Sequence, residues 1–127
     1  MNNSLTEAQE AEILVAWLRV HRIAFTHIPN ETGGSPEAKR RAIRMKRQGT
    51  SKGFADYIIA LPGTGLLFIE LKRVRGSVTS LEQKAWIETL NQCPGSQAFI
   101  AKGADVAIKI VESFITMATY TSTDALF

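Results

Sequence analysis

GFADYIIALPGTGLLFIELKR, residues 53–73, sets two apolar runs back to back across Pro62-Gly63-Thr64-Gly65. Residues 55–61 and 66–73 are rich in Ile, Leu, Tyr and Phe, the composition of strands, and the Pro-Gly-Thr-Gly between them predicts a hairpin. With Pro62, Gly63 and Thr64 as a three-residue loop, Asp56 falls directly opposite Glu70. Lys72, two residues further, projects from the same face as Glu70. A four-residue loop would set Leu71 opposite Asp56 instead, so the register decides whether the two acids meet.

Working outward, Thr79-Ser80-Leu81-Glu82-Gln83 offers two overlapping capping boxes. The helix they open carries Leu81, Ala85, Ile87 and Leu90 to about Gln92, where Pro94-Gly95 stops it. Residues 98–101 are of strand type, and Asp105 is placed to cap a last helix through Val106, Ile110, Phe114 and Met117, followed by a polar, fraying tail at about 119–127. Before the hairpin, Ser4 and Glu7 have capping-box spacing for a helix ending near His21, and residues 24–28 read as a strand. Ser35-Pro36 opens a short helix in a basic stretch, ahead of a loop at 49–53. The order α, β, basic segment, β, β, α, β, α in 127 residues predicts one α/β domain, 1–127, with a central mixed sheet flanked by helices.

The N-terminus is polar and acidic where a secretory signal is basic and then apolar, and no apolar run approaches a membrane span. A soluble cytoplasmic protein without a membrane partner is expected. Cys93, the only cysteine, is left without an internal disulfide and reads as a partly buried small apolar residue. Net charge is only +3, but Lys39, Arg40, Arg41, Arg44, Lys46, Arg47 and Lys52 fall in one stretch without an acid. That density suits a phosphate backbone, held without reading sequence.

Two facing carboxylates repel unless a cation lies between them, and an oxygen-rich site of this kind suits magnesium or manganese, with the Leu71 backbone carbonyl as a third ligand. Such a cation meets phosphate oxygens and acidifies water, and Lys72 beside it is placed to position or deprotonate the attacking water. The structural alternative leaves Asp56, Glu70 and Lys72 as solvated residues where two core strands emerge. Trp17 and Trp86 lie on amphipathic helices and read as core or interface anchors, while His27 and Asn30-Glu31 read as structural.

An acid on one strand and a short hairpin to Glu70-Leu71-Lys72 resemble the PD-(D/E)xK nuclease signature. The longer run Gly53, Asp56, Glu70-Leu71-Lys72, Gly76, Ser80 and Gln83, with Trp86 a turn later, is similar to the VRR-NUC branch of that superfamily; Ala55 stands where members usually have proline. The resemblance implies a restriction-endonuclease-like core and a DNA endonuclease dependent on Mg2+ or Mn2+, selective for branched or junction DNA. It further implies phage or bacterial origin, a part in replication, repair or recombination, and a homodimer. In that reading Asp56, Glu70 and the Leu71 carbonyl hold the metal, Lys72 is the catalytic lysine, and Gln83 orients the lysine, water or phosphate. Glu12 is similar to an acid such nucleases carry on the first helix near the metal. Gln83 also fits the back half of a capping box, and Glu12 a solvated helix face. The rival functions are a non-catalytic DNA-binding or assembly module on the same scaffold and a sequence-specific restriction-type endonuclease.

Overall fold

The computed structural model describes residues 4–29 and 33–125. Its elements are α1 (Glu7–Val20), β1 (Ala24–His27), α2 (Pro36–Arg47), β2 (Tyr57–Leu61), β3 (Gly65–Lys72), α3 (Leu81–Asn91), β4 (Ser96–Lys102) and α4 (Ala104–Ala125), in the predicted order. They build a four-stranded mixed sheet in the order β1-β2-β3-β4. The first three strands are antiparallel neighbours, and β4 runs parallel to β3 because the helix between them returns the chain to the same end of the sheet.

Alternation along the strands divides the core between two faces. Ile59, Leu67, Ile69 and Leu71 meet Leu14 and Leu18 of α1 and Ala107 and Val111 of α4. On the opposite face Phe68 and Ala98 pack with Ala55 and Leu90, joined by Phe54, Ile58 and α3 residues Trp86 and Ile87. Covered on both faces and paired along both edges, β3 is buried at every position from Leu67 to Lys72. Each large aliphatic side chain buried in this way contributes roughly 1.5–3 kcal/mol. Both tryptophans are packing residues: Trp17 flanks the first cluster and stacks on His21, and Trp86 stands edge-to-face with Phe54 at 4.8 Å.

Several local expectations are corrected. The first capping box is Thr6 with Gln9, two residues beyond Ser4 and Glu7; Thr6 Oγ1 accepts from the Gln9 amide at 3.1 Å and Gln9 Oε1 from the Thr6 amide at 2.9 Å. Asp105 lies inside the first turn of α4 and is not its cap. A carboxylate far away in sequence acts there: buried Glu10 of α1 accepts the Ala104 amide through Oε1 at 3.1 Å. The polar tail expected at 119–127 continues α4 as far as Ala125, residues 126 and 127 lying outside the described residues. The basic helix is three turns long, capped by Ser35, whose Oγ accepts from the Ala38 amide. Cys93 is exposed, its thiol donating to the Thr89 carbonyl at 3.5 Å.

Candidate active site

The hairpin register brings the acids together. Leu61 pairs with Gly65 across the loop of Pro62, Gly63 and Thr64, closed by the Thr64 amide donating to the Leu61 carbonyl at 2.9 Å. Tyr57 pairs with Ile69, so one step further Asp56 stands opposite Glu70. Asp56 Oδ2 accepts the Leu71 amide at 2.9 Å, which ties the acid to the end of β3. Burial raises the Asp56 pKa above the ordinary carboxylate value, opposed by that amide; the nearby charge of Glu7 adds to the rise, and His27 and Lys72 oppose it.

Glu70 is 2% exposed and Lys72 is 9% exposed. Glu70 Oε1 accepts from Gln83 Nε2 at 2.6 Å and lies 3.5 Å from Lys72 Nζ, while Oε2 is buried without a hydrogen-bond partner. Removal from water and the charge of Asp56 push the Glu70 pKa from 4.5 to about 7, against the pull of Lys72. The capping-box reading of Gln83 is borne out. Its Oε1 accepts the Ser80 amide at 2.9 Å and its own amide donates to Ser80 Oγ at 3.1 Å, so the capping box fixes the side chain that reaches Glu70. The group it orients is Glu70, not the lysine.

Glu12 is exposed on α1, and the α1 acid beside the pair is Glu7. Glu7, Ala8 and Ala11 line a cleft of about 270 Å³ with His27, Asp56 and Leu71. Glu7 and His27 thus border Asp56, a placement that sequence reasoning missed. For His27 the signal is spatial, its ring lying 5.0 Å from that of Tyr57, its partner across β1 and β2. Asn30 and Glu31 lie outside the described residues. A second cleft of about 800 Å³ is lined by Lys72, Ser80 and Gln83 on one side and by Met45, Lys46 and Lys52 on another. Glu70 lines neither cleft.

Lys39, Arg40, Arg41, Arg44, Lys46 and Arg47 all lie on α2, exposed, and Lys52 is exposed in the loop that follows. Of these, Lys46 and Lys52 reach the larger cleft. Gly53 then brings the chain against α3. Its φ is +89°, and a Cβ there would stand 2.7 Å from the Glu82 backbone and 2.8 Å from the Gln83 amide. Only glycine allows the basic loop to lie so close to the turn that carries Gln83.

A buried carboxylate oxygen without a partner, next to a second acid, is a place where a hard cation fits. Among the described residues there is no cluster of three or more His, Cys, Asp or Glu side chains able to hold a metal. Asp56 and Glu70 would be the protein donors to such an ion, a set that suits magnesium, which keeps several waters.

A four-stranded mixed sheet with helices on both faces, and an acid pair and lysine at the shared end of its central hairpin, defines an α/β domain with its candidate site at a strand end. No family model matches the chain, and no curated protein matches it. A solved structure described as a VRR_NUC domain protein is similar at a TM-score of 0.73 and 27% identity, over 91% of this chain and 92% of that one. The chain has the VRR-NUC fold, as the motif from Gly53 to Gln83 leads one to expect.

Proposed function

We propose that this domain is a divalent-metal-dependent endonuclease that hydrolyses DNA phosphodiester bonds, acting on branched or junction DNA. The observation that carries the reading is Glu70: a buried carboxylate with one unpartnered oxygen, opposite Asp56 and 3.5 Å from the Lys72 ammonium. Asp56, Glu70 and the Leu71 carbonyl hold Mg2+ or Mn2+, which when bound polarises the phosphate and makes water more acidic. Lys72 positions the attacking water and offsets the charge that grows on the phosphate as the P–O bond to the leaving oxygen breaks. Gln83 holds Glu70 in one rotamer, so the acid pair is formed before substrate arrives. The cations of α2 and Lys52 carry the DNA backbone toward Lys72.

A domain of 14.0 kDa has little surface with which to grip a junction, and a homodimer supplies two such sites for two strands. Work in the cytoplasm of a bacterial or phage-infected cell, in replication, repair or recombination, completes the proposal. Among the described residues no helix is long and apolar enough to cross a membrane. The rival of a purely DNA-binding module leaves the acid pair unexplained, because a polyanion gains nothing from two carboxylates next to its contact face.

The test is cleavage of linear, nicked, flapped and four-way DNA in magnesium, manganese and EDTA. Activity is expected only with metal, greatest on the branched substrates, and reduced by about 100-fold or more in Glu70→Ala and Lys72→Ala. Cleavage that survives in EDTA, or in either variant, overturns the assignment.

A further inference from the structure

After Lys72 the chain turns through residues 73–76, closed by the Arg73 guanidinium donating to the Gly76 carbonyl at 3.0 Å, and then runs to the Ser80 cap of α3. Two aliphatic side chains flank that cap almost fully in water: Val78 is 82% exposed and Leu81 is 81% exposed. Scattered single apolar residues on a surface need no explanation. These two stand three positions apart, and Val78 lines the same cleft as Lys72, Gln83 and Lys46. Exposed Arg73 and Arg75 precede Val78 by five and three residues, and exposed Glu82 follows Leu81. The cleft therefore holds three lysines, Lys46, Lys52 and Lys72, against one acid, Glu82, with Val78 as an aliphatic lip beside the candidate catalytic lysine.

We propose that Val78 and Leu81 form a wedge that receives the face of an unpaired base next to the phosphate held at Lys72. The inference rests on the reading of the site as a DNA nuclease. An unpaired nucleotide has the matching chemistry, a flat apolar face joined to an anionic phosphate, and nucleic-acid-binding proteins use aliphatic side chains to unstack bases. A second copy of the chain is disfavoured as the occupant, because a two-fold contact places the same patch on both sides and would set Arg73, Arg75 and Lys72 against their own duplicates. Preference for a branch then arises at the lip, where an already unpaired base can seat and a stacked pair must first be opened.

The test is binding in EDTA, where no cleavage intervenes. A short duplex is compared with the same duplex bearing an unpaired tail whose first base is 2-aminopurine. The wild-type protein is expected to bind the tailed form more tightly and to change the probe's fluorescence. Val78→Ser with Leu81→Ser is expected to lower that preference by about tenfold, the value of burying a large aliphatic side chain. The salt dependence stays as it was because no charge is altered, and Val78→Ile with Leu81→Met keeps the preference. A serine double variant that retains the tail preference overturns the wedge. So does one whose only change, by sedimentation, is the loss of a dimer, which would make the lip a protein interface. A wild-type protein that binds neither DNA removes the nuclease reading and the wedge together, whereas binding with unaltered fluorescence removes the wedge alone.

Discussion

Glu70 concentrates the chemistry of the site in one side chain. Its pKa, raised from 4.5 to about 7, means that the folded metal-free protein holds a proton that the unfolded chain has already released. Stability therefore falls as pH rises across that interval and levels off above it; the raised pKa of Asp56 acts in the same direction. Metal-free protein is expected to melt at a lower temperature at about pH 8 than at about pH 5.5, with Glu70→Gln flattening that slope. Differential scanning calorimetry in EDTA across this range measures it. Stability that rises with pH in the wild type alone would show that Glu70 is ionised in the fold without cost. Manganese at the higher pH should restore the missing stability, since the cation takes up the carboxylate charge that burial penalises.

Two elements set the site's surroundings. The turn of α3 that carries Gln83 is fixed by its own capping box and by the contact with Gly53. Gly53→Ala adds a Cβ 2.7 Å from the Glu82 backbone at a φ of +89°, so either the loop or the helix must move. A destabilisation of about 1–3 kcal/mol is expected from urea unfolding. Cleavage should fall in the variant as well, because Gln83 no longer meets Glu70 squarely. The α2 helix has the opposite character: Ala38 is its one buried residue, and its cations are held out to solvent. Neutralising Arg40, Arg41 and Arg44 together should weaken DNA binding. Each phosphate that the protein no longer neutralises lowers the slope of log affinity against log salt by about 0.9. An unchanged slope in a fluorescence titration would place the binding surface elsewhere.

Across the whole molecule, Glu10 joins the first helix to the last. Its carboxylate satisfies the Ala104 amide at the start of α4, and Gly103, at φ +98°, leaves room for it: a Cβ there would stand 3.3 Å from Glu10 Oε2. Glu10→Ala leaves that amide buried without an acceptor and is expected to cost about 1–3 kcal/mol of unfolding free energy. Glu10→Gln, which keeps an acceptor oxygen, should cost much less. Equal destabilisation in the two variants, by urea titration, would mean that packing and not the hydrogen bond is responsible.

The sequence by itself determined the hairpin, because strand alternation and turn chemistry act over a few residues, while the choice between a three-residue loop, with Asp56 opposite Glu70, and a longer one is made by the pairing of Leu61 with Gly65. It also determined the order of elements and narrowed the cap of α3 to two overlapping boxes, of which the structure uses Ser80 with Gln83. What it left open is set by contacts between distant segments. Ser4-Glu7 and Thr6-Gln9 are equally good boxes locally, and the buried placement of Glu10, Leu14 and Leu18 accompanies the second. That phase turns Glu7 toward Asp56 and leaves Glu12 in water, a distinction that spacing along one helix cannot make. His27 borders Asp56 only through the pairing of β1 with β2. The charge state of Glu70 likewise belongs to the tertiary structure: a strand end that reads as solvated is covered on both faces by helices packed against β3, and desolvation raises its pKa toward neutrality.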